Sequence, residues 1–362
     1  MNSKGYRSLL AIAVLITGAC ASTSSAPPMR FGEETWKMVL EAKGIEPGGA
    51  VYPFTATPEM VEWAKTVTRH EVEPLDQLTM LHRALFEPKT FPFSYDETRT
   101  LTADQAFVQR RGNCLSFTAL FITLARSIDL PAFLVTVYRP PSIEQREDVV
   151  VVNRHVVAGY SKASRLYLYD FYHAREVPNS RRVVVDDLSA SALFHTNYGG
   201  EAIRRGDLAA AQHHFEVATT LAPHLAAPWI GLGVTHSRVG NPEAGFAAYG
   251  RALDADPGNP SALTNIAYLH QQSGREEEAT AALRAAAQGR SSPFSLIALA
   301  DAEAAQGNMD DAEHYLRRAR RTYRNEPAVY EAQARFAKRR GDPKQAQRYL
   351  EKADKLRSRR EP

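Results

Sequence analysis

The chain has 362 residues, of which 44% are hydrophobic and 23% charged, with a formal net charge of +3. That composition excludes wholesale disorder and leaves room for two domains of ordinary size. With only Cys20 and Cys114 present, a disulfide framework is excluded as well.

At the N-terminus, Lys4 and Arg7 precede an apolar run from Leu9 to Ile16, which ends in Thr17-Gly18-Ala19-Cys20. A positive start, a short apolar stretch and a small-residue end make a secretory signal. The run is shorter than the roughly 20 residues that a spanning helix needs. Gly18-Ala19-Cys20 resembles a bacterial lipobox, although Thr17 stands where Leu is commoner. The resemblance implies removal of residues 1–19, lipidation of Cys20 and a lipid-anchored position on the periplasmic side of the cell envelope. Ala21, not Asp, follows Cys20, which by analogy with known sorting signals points to the outer membrane. Ordinary signal cleavage after Ala21 or Ala26 is the alternative. Residues 20–29 are small and turn-rich, as a tether would be.

Residues 30–190 read as mixed α and β. Helical periodicity covers Glu34–Ala42, Pro58–Thr68, Pro74–Phe86 and Thr102–Arg110. From Leu115 to Ile128, the residues Phe117, Leu120, Phe121, Leu124 and Ile128 recur at helix spacing and predict one buried face. Strand-like runs follow at Ala132–Tyr138, Val149–Tyr160 and Arg165–Phe171, rich in Val, Tyr and Leu.

Cys114 opens the apolar helix directly after Gly112-Asn113. There it meets unpaired backbone N–H groups and the positive end of the helix dipole, which favour a thiolate. A buried, inert cysteine is the competing reading. A turn at Ser161–Ser164 would set Tyr160 opposite Arg165 and, further along the same hairpin, His155 opposite Asp170. Such a pair shares one face of the sheet, and the acid would orient the imidazole. Thiol, base and orienting acid are the parts of an activated nucleophile. Gln109 and the Cys114 backbone N–H are candidate oxyanion donors.

Gly112-Asn113-Cys114, then His155 and Asp170 on successive strands, resemble the Gly-x-Cys … His … Asp core of the transglutaminase-like, papain-like cysteine enzymes. The resemblance implies an α+β fold with Cys114 as nucleophile, His155 as general base and acid, and Asp170 as orienting group. Leu115 stands where the eukaryotic cross-linking enzymes have Trp, and Val156-Val157 where they often carry an aromatic. Hydrolysis of an amide or peptide bond is therefore the expected reaction, ahead of protein cross-linking.

The rest of the chain is periodic. Gly206, Gly240, Gly274, Gly307 and Gly341 recur every 33 or 34 residues. A small residue stands five positions after each, a large one nine after and an alanine twelve after: Ala218, Ala252, Ala286, Ala319 and Ala353. Trp229, Leu232, Gly233, Gly240, Tyr249, Ala252 and Pro257 resemble the signature of the tetratricopeptide repeat, a helix-turn-helix unit. This implies an all-α solenoid of about five repeats over residues 191–360. Its usual role is to present a surface to a protein or peptide.

Arginine and lysine crowd the last two repeats, from Arg317 to Arg360. They read as a solvated capping face, or else as a surface for an anionic partner. A nucleic-acid partner is not expected of an exported protein. The histidines show no ligand spacing and no glycine-rich phosphate loop occurs, so neither a metal nor another cofactor is expected. Two functions compete: a cysteine hydrolase or acyltransferase whose repeats recruit a protein substrate, and a non-catalytic lipid-anchored scaffold.

Overall fold

Helix α5 (Cys114–Arg126) organises the first half of the protein. The sequence pattern predicts one buried face, but every residue from Leu115 to Ala125 is buried. A helix apolar all round belongs inside a core rather than on its surface, and the neighbours of α5 confirm that position. In the computed structural model, which describes residues 31–46, 48–146, 149–171, 181–288 and 291–358, α5 lies among three preceding helices and a sheet. These helices are α2 (Pro58–Thr68), α3 (Pro74–Ala84) and α4 (Ala103–Gln109). Ahead of them comes α1 (Glu33–Ala42).

The sheet has four antiparallel strands in the order β5-β4-β3-β6: β3 (Phe133–Arg146), β4 (Val149–Lys162), β5 (Arg165–Tyr169) and β6 (Arg181–Val185). Leu134, Val156, Ala158 and Tyr160 join the α5 core, while Phe133, Val135, Val137 and Val157 form a smaller cluster with Leu166 and Leu168. Two short parallel strands, β1 (Ser94–Tyr95) and β2 (Arg111–Gly112), lie just before α5.

The observed hairpin corrects the expected register. The β4–β5 turn holds two residues, Ala163 and Ser164, so Lys162 pairs with Arg165 and Tyr160 with Tyr167. Both turn residues have positive φ, 48° and 63°, as a two-residue turn matched to strand twist requires.

The remaining helices form five antiparallel pairs: α6 (Asp187–Arg204) with α7 (Leu208–Leu221), α8 (Ala226–Arg238) with α9 (Pro242–Ala255), α10 (Pro260–Gln272) with α11 (Glu276–Gln288), α12 (Pro293–Ala305) with α13 (Met309–Thr322), and α14 (Pro327–Arg339) with α15 (Pro343–Arg357). The recurrent glycines follow the first helix of each pair with φ between 70° and 88°. Each ends its helix in the same way: Gly240 N–H donates to Ser237 O and the next N–H, of Asn241, to His236 O. This doubly bonded C-terminal motif needs a left-handed residue, which glycine supplies without strain. The five repeat alanines, Ala218 to Ala353, are all fully buried.

The two halves are joined without a spacer, because β6 leads through Asp186 directly into α6. At the start of α6, Asp187 is 2% exposed and takes a bidentate pair from Arg126 at 2.9 and 3.1 Å, with further donors in Phe31 N–H and Tyr52 Oη. Helix α1 packs Trp36 and Leu40 against Ala192, Val217 and Leu221 of α6 and α7. Strands β4 and β3 also approach α10 and α12, the first helices of the third and fourth repeats.

Aromatic rings of the repeats rest on helical glycines, and this sets opposite expectations for two Gly→Ala changes. A Cβ at Gly233 would lie 2.5 Å from Tyr249 Cε1, whereas one at Gly250 would meet nothing within 4 Å. Alanine gains about 1 kcal/mol over glycine in a helix, and overpacking costs about 1–3 kcal/mol. Gly250→Ala should therefore raise the denaturant midpoint of the array, and Gly233→Ala should lower it. Equal shifts in one direction would contradict the packing described.

Candidate functional site

Cys114 is the first residue of α5 and is partly exposed. Asn113 caps the helix: its Oδ1 accepts Leu115 N–H at 3.0 Å and Ser116 N–H at 3.1 Å. Such a cap contributes about 1 kcal/mol, and it leaves the Cys114 N–H without an acceptor among the described residues. Gly112 must be glycine. Its φ is 151°, and a Cβ there would lie 2.4 Å from the Cβ of Ser116.

The cap is itself held. Asn113 Nδ2 donates to Thr100 Oγ1 at 2.8 Å, and its backbone N–H to Arg99 O at 3.1 Å. Thr100 is tied in turn to α6: Asn197 Nδ2 reaches its hydroxyl at 3.2 Å, and its N–H donates to Glu201 Oε1 at 3.0 Å.

His155 lies on β4, opposite Val137 and immediately beside the register shift between Val137 and Ser142. Strict alternation would group His155 with Val157, whose side chain packs in the smaller cluster away from α5. The extra residues at that shift belong to β3, and the His155 ring comes close enough to the Cys114 side chain to respond to it electrostatically. Thr118 Oγ1 donates to Val156 O at 3.4 Å, fastening α5 to the strand one residue further on.

Asp170 follows the last residue of β5. In the observed register it stands diagonal to His155, not directly opposite as expected. A slip of two residues keeps a side chain on the same face, where a slip of one would reverse it. Both carboxylate oxygens lie 2.8 Å from His155 Nε2. Carboxylates only accept, so the Nε2–H donates, leaving Nδ1 as the nitrogen available to the thiol. Side-chain exposure is 19% for His155 and 14% for Asp170. Burial opposes a charged ring here, but the hydrogen bonds to Asp170 and Cys114, reinforced by their charges, outweigh it and push His155 up to about 9.

The structure thus brings together Cys114, His155 and Asp170, and it leaves Gln109 apart. Gln109 ends α4 in an exposed position, with its Oε1 facing Arg99 Nη1 at 3.5 Å. The lipobox and Cys20 lie outside the described residues. No group of three or more His, Cys, Asp or Glu side chains with metal-binding geometry occurs among the described residues. Likewise, no helix among them is long and apolar enough to cross a membrane.

Several of the C-terminal basic residues are paired: Arg317 and Arg340 with Glu313, Arg335 with Asp301, and Arg357 with Asp354 and Glu331. A shallow cleft of about 330 Å³ on α13 is lined by His314, Arg317, Arg320 and Arg321. One residue at the site escaped the sequence reading. His82 of α3 places Nε2 2.7 Å from the main-chain oxygen of Asp170. The two are 88 positions apart, and nothing in the pattern around His82 signals the contact.

Comparison with known proteins gives the class. Residues 61–170 match the transglutaminase-like superfamily, a span that takes in Cys114 and His155 and ends on Asp170. Residues 260–288 and 293–336 match tetratricopeptide repeats. The chain therefore carries a transglutaminase-like core domain followed by a helical tetratricopeptide array.

Among individual proteins, it is similar to cellulose synthase operon protein C of Xanthomonas axonopodis pv. citri (strain 306), 39% identical over 77 residues. That match takes in 21% of this chain and only 5% of the relative's length. Solved structures that resemble it include pilF of Pseudomonas aeruginosa, at 21% identity over 46% of this chain and 76% of that one, with a TM-score of 0.40. Yeast Tom70 follows at 18% identity over 48% and 36%, TM-score 0.43. MamA from Desulfovibrio magneticus RS-1 matches at 15% over 47% and 97%, TM-score 0.36.

The raised His155 makes a pH prediction. A histidine whose folded value exceeds its unfolded one, near 6.5, contributes stability that is complete below about pH 6.5. That contribution is lost as pH rises through the folded value, about 9. The amount is on the order of 3 kcal/mol at most. The urea midpoint should fall between pH 6.5 and 9 in the wild type and fall less in His155→Gln. Parallel pH curves for the two proteins would contradict the assignment.

Proposed function

We propose that the protein is a cysteine hydrolase or acyltransferase acting on an amide or peptide carbonyl, held in the cell envelope by a lipid on Cys20. The observation that carries this reading is one ring, His155, hydrogen-bonded to Asp170 at 2.8 Å and close enough to the thiol of Cys114, at the head of α5, to be shifted by it. Cys114 Sγ gives its proton to His155 and attacks the carbonyl carbon. The carbonyl π pair moves to oxygen, where the free Cys114 N–H stabilises the charge. Collapse of this intermediate breaks the C–N bond, and His155 returns the proton to the departing amine. Water, activated by the same ring, then adds to the thioester and releases acid and thiol. An amine in place of water would give transamidation. Leu115 and Val156-Val157 favour water, since the aromatic residues of the cross-linking enzymes are missing at those positions.

The repeats recruit a protein partner, and the lipid keeps both at the periplasmic face of the outer membrane. Tetratricopeptide arrays commonly bind proteins, and Gly18-Ala19-Cys20 supports the anchor.

Thiol reactivity decides between an enzyme and a scaffold. Iodoacetamide should label Cys114 quickly in the folded protein near neutral pH. The rate should fall about tenfold or more in His155→Ala, because the ion-pair partner of the thiolate is lost. It should fall less in Asp170→Asn, which disturbs the ring without removing it. Slow labelling in all three proteins, accelerating only on unfolding, would identify a buried structural cysteine and leave the scaffold reading.

The anchor has its own test. Cys20→Ser should release the protein from the membrane fraction or leave the precursor uncleaved. Unchanged membrane partition with normal maturation would rule a lipid out.

A further inference from the structure

Asp170 occupies an unusual position for an orienting acid. It is the first residue beyond β5, so its main chain has left the ladder that fixes Tyr169 against Ala158. Its neighbours are anchored by their rings. Tyr169 stacks on Phe121 at 4.9 Å, and Phe171 meets Phe117 edge-on at 5.5 Å. Those contacts hold the flanking side chains. The peptide oxygen of Asp170 is met by His82, whose Nε2 lies 2.7 Å away. A carbonyl can only accept, so Nε2 carries the proton and donates.

His82 is suited to hold that carbonyl. It sits on the last turn of α3, a helix packed on α5 through fully buried Leu78 and Leu81. Its ring is enclosed by four aromatic side chains, Phe86, Phe117, Phe121 and Tyr169, with centroids 5.2 to 6.0 Å away. Phe117 and Phe121 belong to α5 itself, the helix that carries Cys114. One histidine therefore refers the acid's backbone to the same helix as the nucleophile.

We infer that His82 is a positioning residue for the reaction. Its Nε2–H fixes the Asp170 main chain so that the carboxylate meets His155 Nε2 with both oxygens. The inference rests on the reading of Cys114, His155 and Asp170 as the catalytic group. His82 is assigned no role as a base; it acts through the Asp170 main chain. Among the described residues, His155 meets the Asp170 carboxylate and His82 its peptide oxygen.

The test uses the full chain and reads the rate and pH midpoint of Cys114 alkylation by iodoacetamide. The proteins compared are wild type, Asp170→Asn, His82→Phe and His82→Gln, with thermal melts to show that each is folded. His82→Phe keeps an aromatic ring in the cage but removes the donor. It should slow alkylation at pH 7 about tenfold. His82→Gln restores an N–H and should recover most of the rate. The inference fails if Asp170→Asn slows labelling while both His82 variants match wild type, or if Phe and Gln slow it equally, which would make the ring's packing the cause. Should Asp170→Asn itself leave the rate unchanged, the catalytic reading fails first and the role of His82 falls with it. Should His82→Phe not fold, ¹⁵N shifts of the His82 ring in the wild type decide instead. A protonated Nε2 supports the bond to Asp170 O, and an unprotonated one overturns it.

Discussion

The cap at the head of α5 is the constraint on which the rest of the site depends. Asn113 takes up the second and third N–H groups of the helix with one oxygen, at 3.0 and 3.1 Å. The first, on Cys114, is left over. A helix N-terminus with all its donors satisfied has nothing to offer a reacting carbonyl. One with none satisfied, this deep in a core, would carry a cost of about 1–3 kcal/mol for each buried orphan group. The arrangement meets both demands by placing the unsatisfied donor on the residue that reaches solvent. Gly112 makes it possible, because its backbone angle brings the chain close against Ser116, where a side chain would collide.

That cap also explains why the two halves of the protein cannot be treated as beads on a string. Asn113 is held by Thr100, and Thr100 is held by Asn197 and Glu201 of the first repeat helix. A second tie, the Arg126–Asp187 pair, joins the far end of α5 to the beginning of α6. Asp187 is 2% exposed and accepts from four donors, so removing its partner would strand a buried charge. Helix α5 is therefore linked to the array at both ends. The array is continuous with the core that presents the thiol.

Most of this architecture is legible in the sequence because it is periodic or local. The repeat glycines, buried alanines and Cys114-led helix each leave a pattern that survives without tertiary information. The hairpin register was harder to read. A two-residue turn usually announces itself through Asn-Gly or Asp-Gly, and here Ala163-Ser164 adopts positive φ without either. Reading a four-residue turn shifted the partner of His155 by two positions. The pairing with Asp170 survived because side chains repeat every second residue along a strand. Burial of α5 on all sides is not legible in its apolar spacing, because Ser116, Thr118 and Thr123 interrupt the apolar residues. They are buried nonetheless, and two of them bond the backbone of neighbouring segments. Strands β1 and β2 have two residues each, too short for any alternation to register. The contact of His82 with Asp170 depends wholly on tertiary packing.

Two histidines in this protein show what separates an imidazole held charged from one held neutral. His155 and His195 are both largely removed from water, and burial pushes both toward the neutral ring. His195 receives Val51 N–H on Nε2 at 3.0 Å, so its proton resides on Nδ1 and is donated to His214 Nδ1 at 3.1 Å. Its partners are a peptide group and another imidazole; neither rewards a positive charge, and burial with His214 and His213 nearby drives it down to about 3. His155 has a carboxylate on one side and a thiol on the other. Both become more favourable partners when the ring is charged, and the balance reverses to about 9. Burial is thus common to the two sites and cannot identify a base. The deciding quantity is the charge that the neighbours place against the ring, and for His155 that charge comes from Asp170 and Cys114.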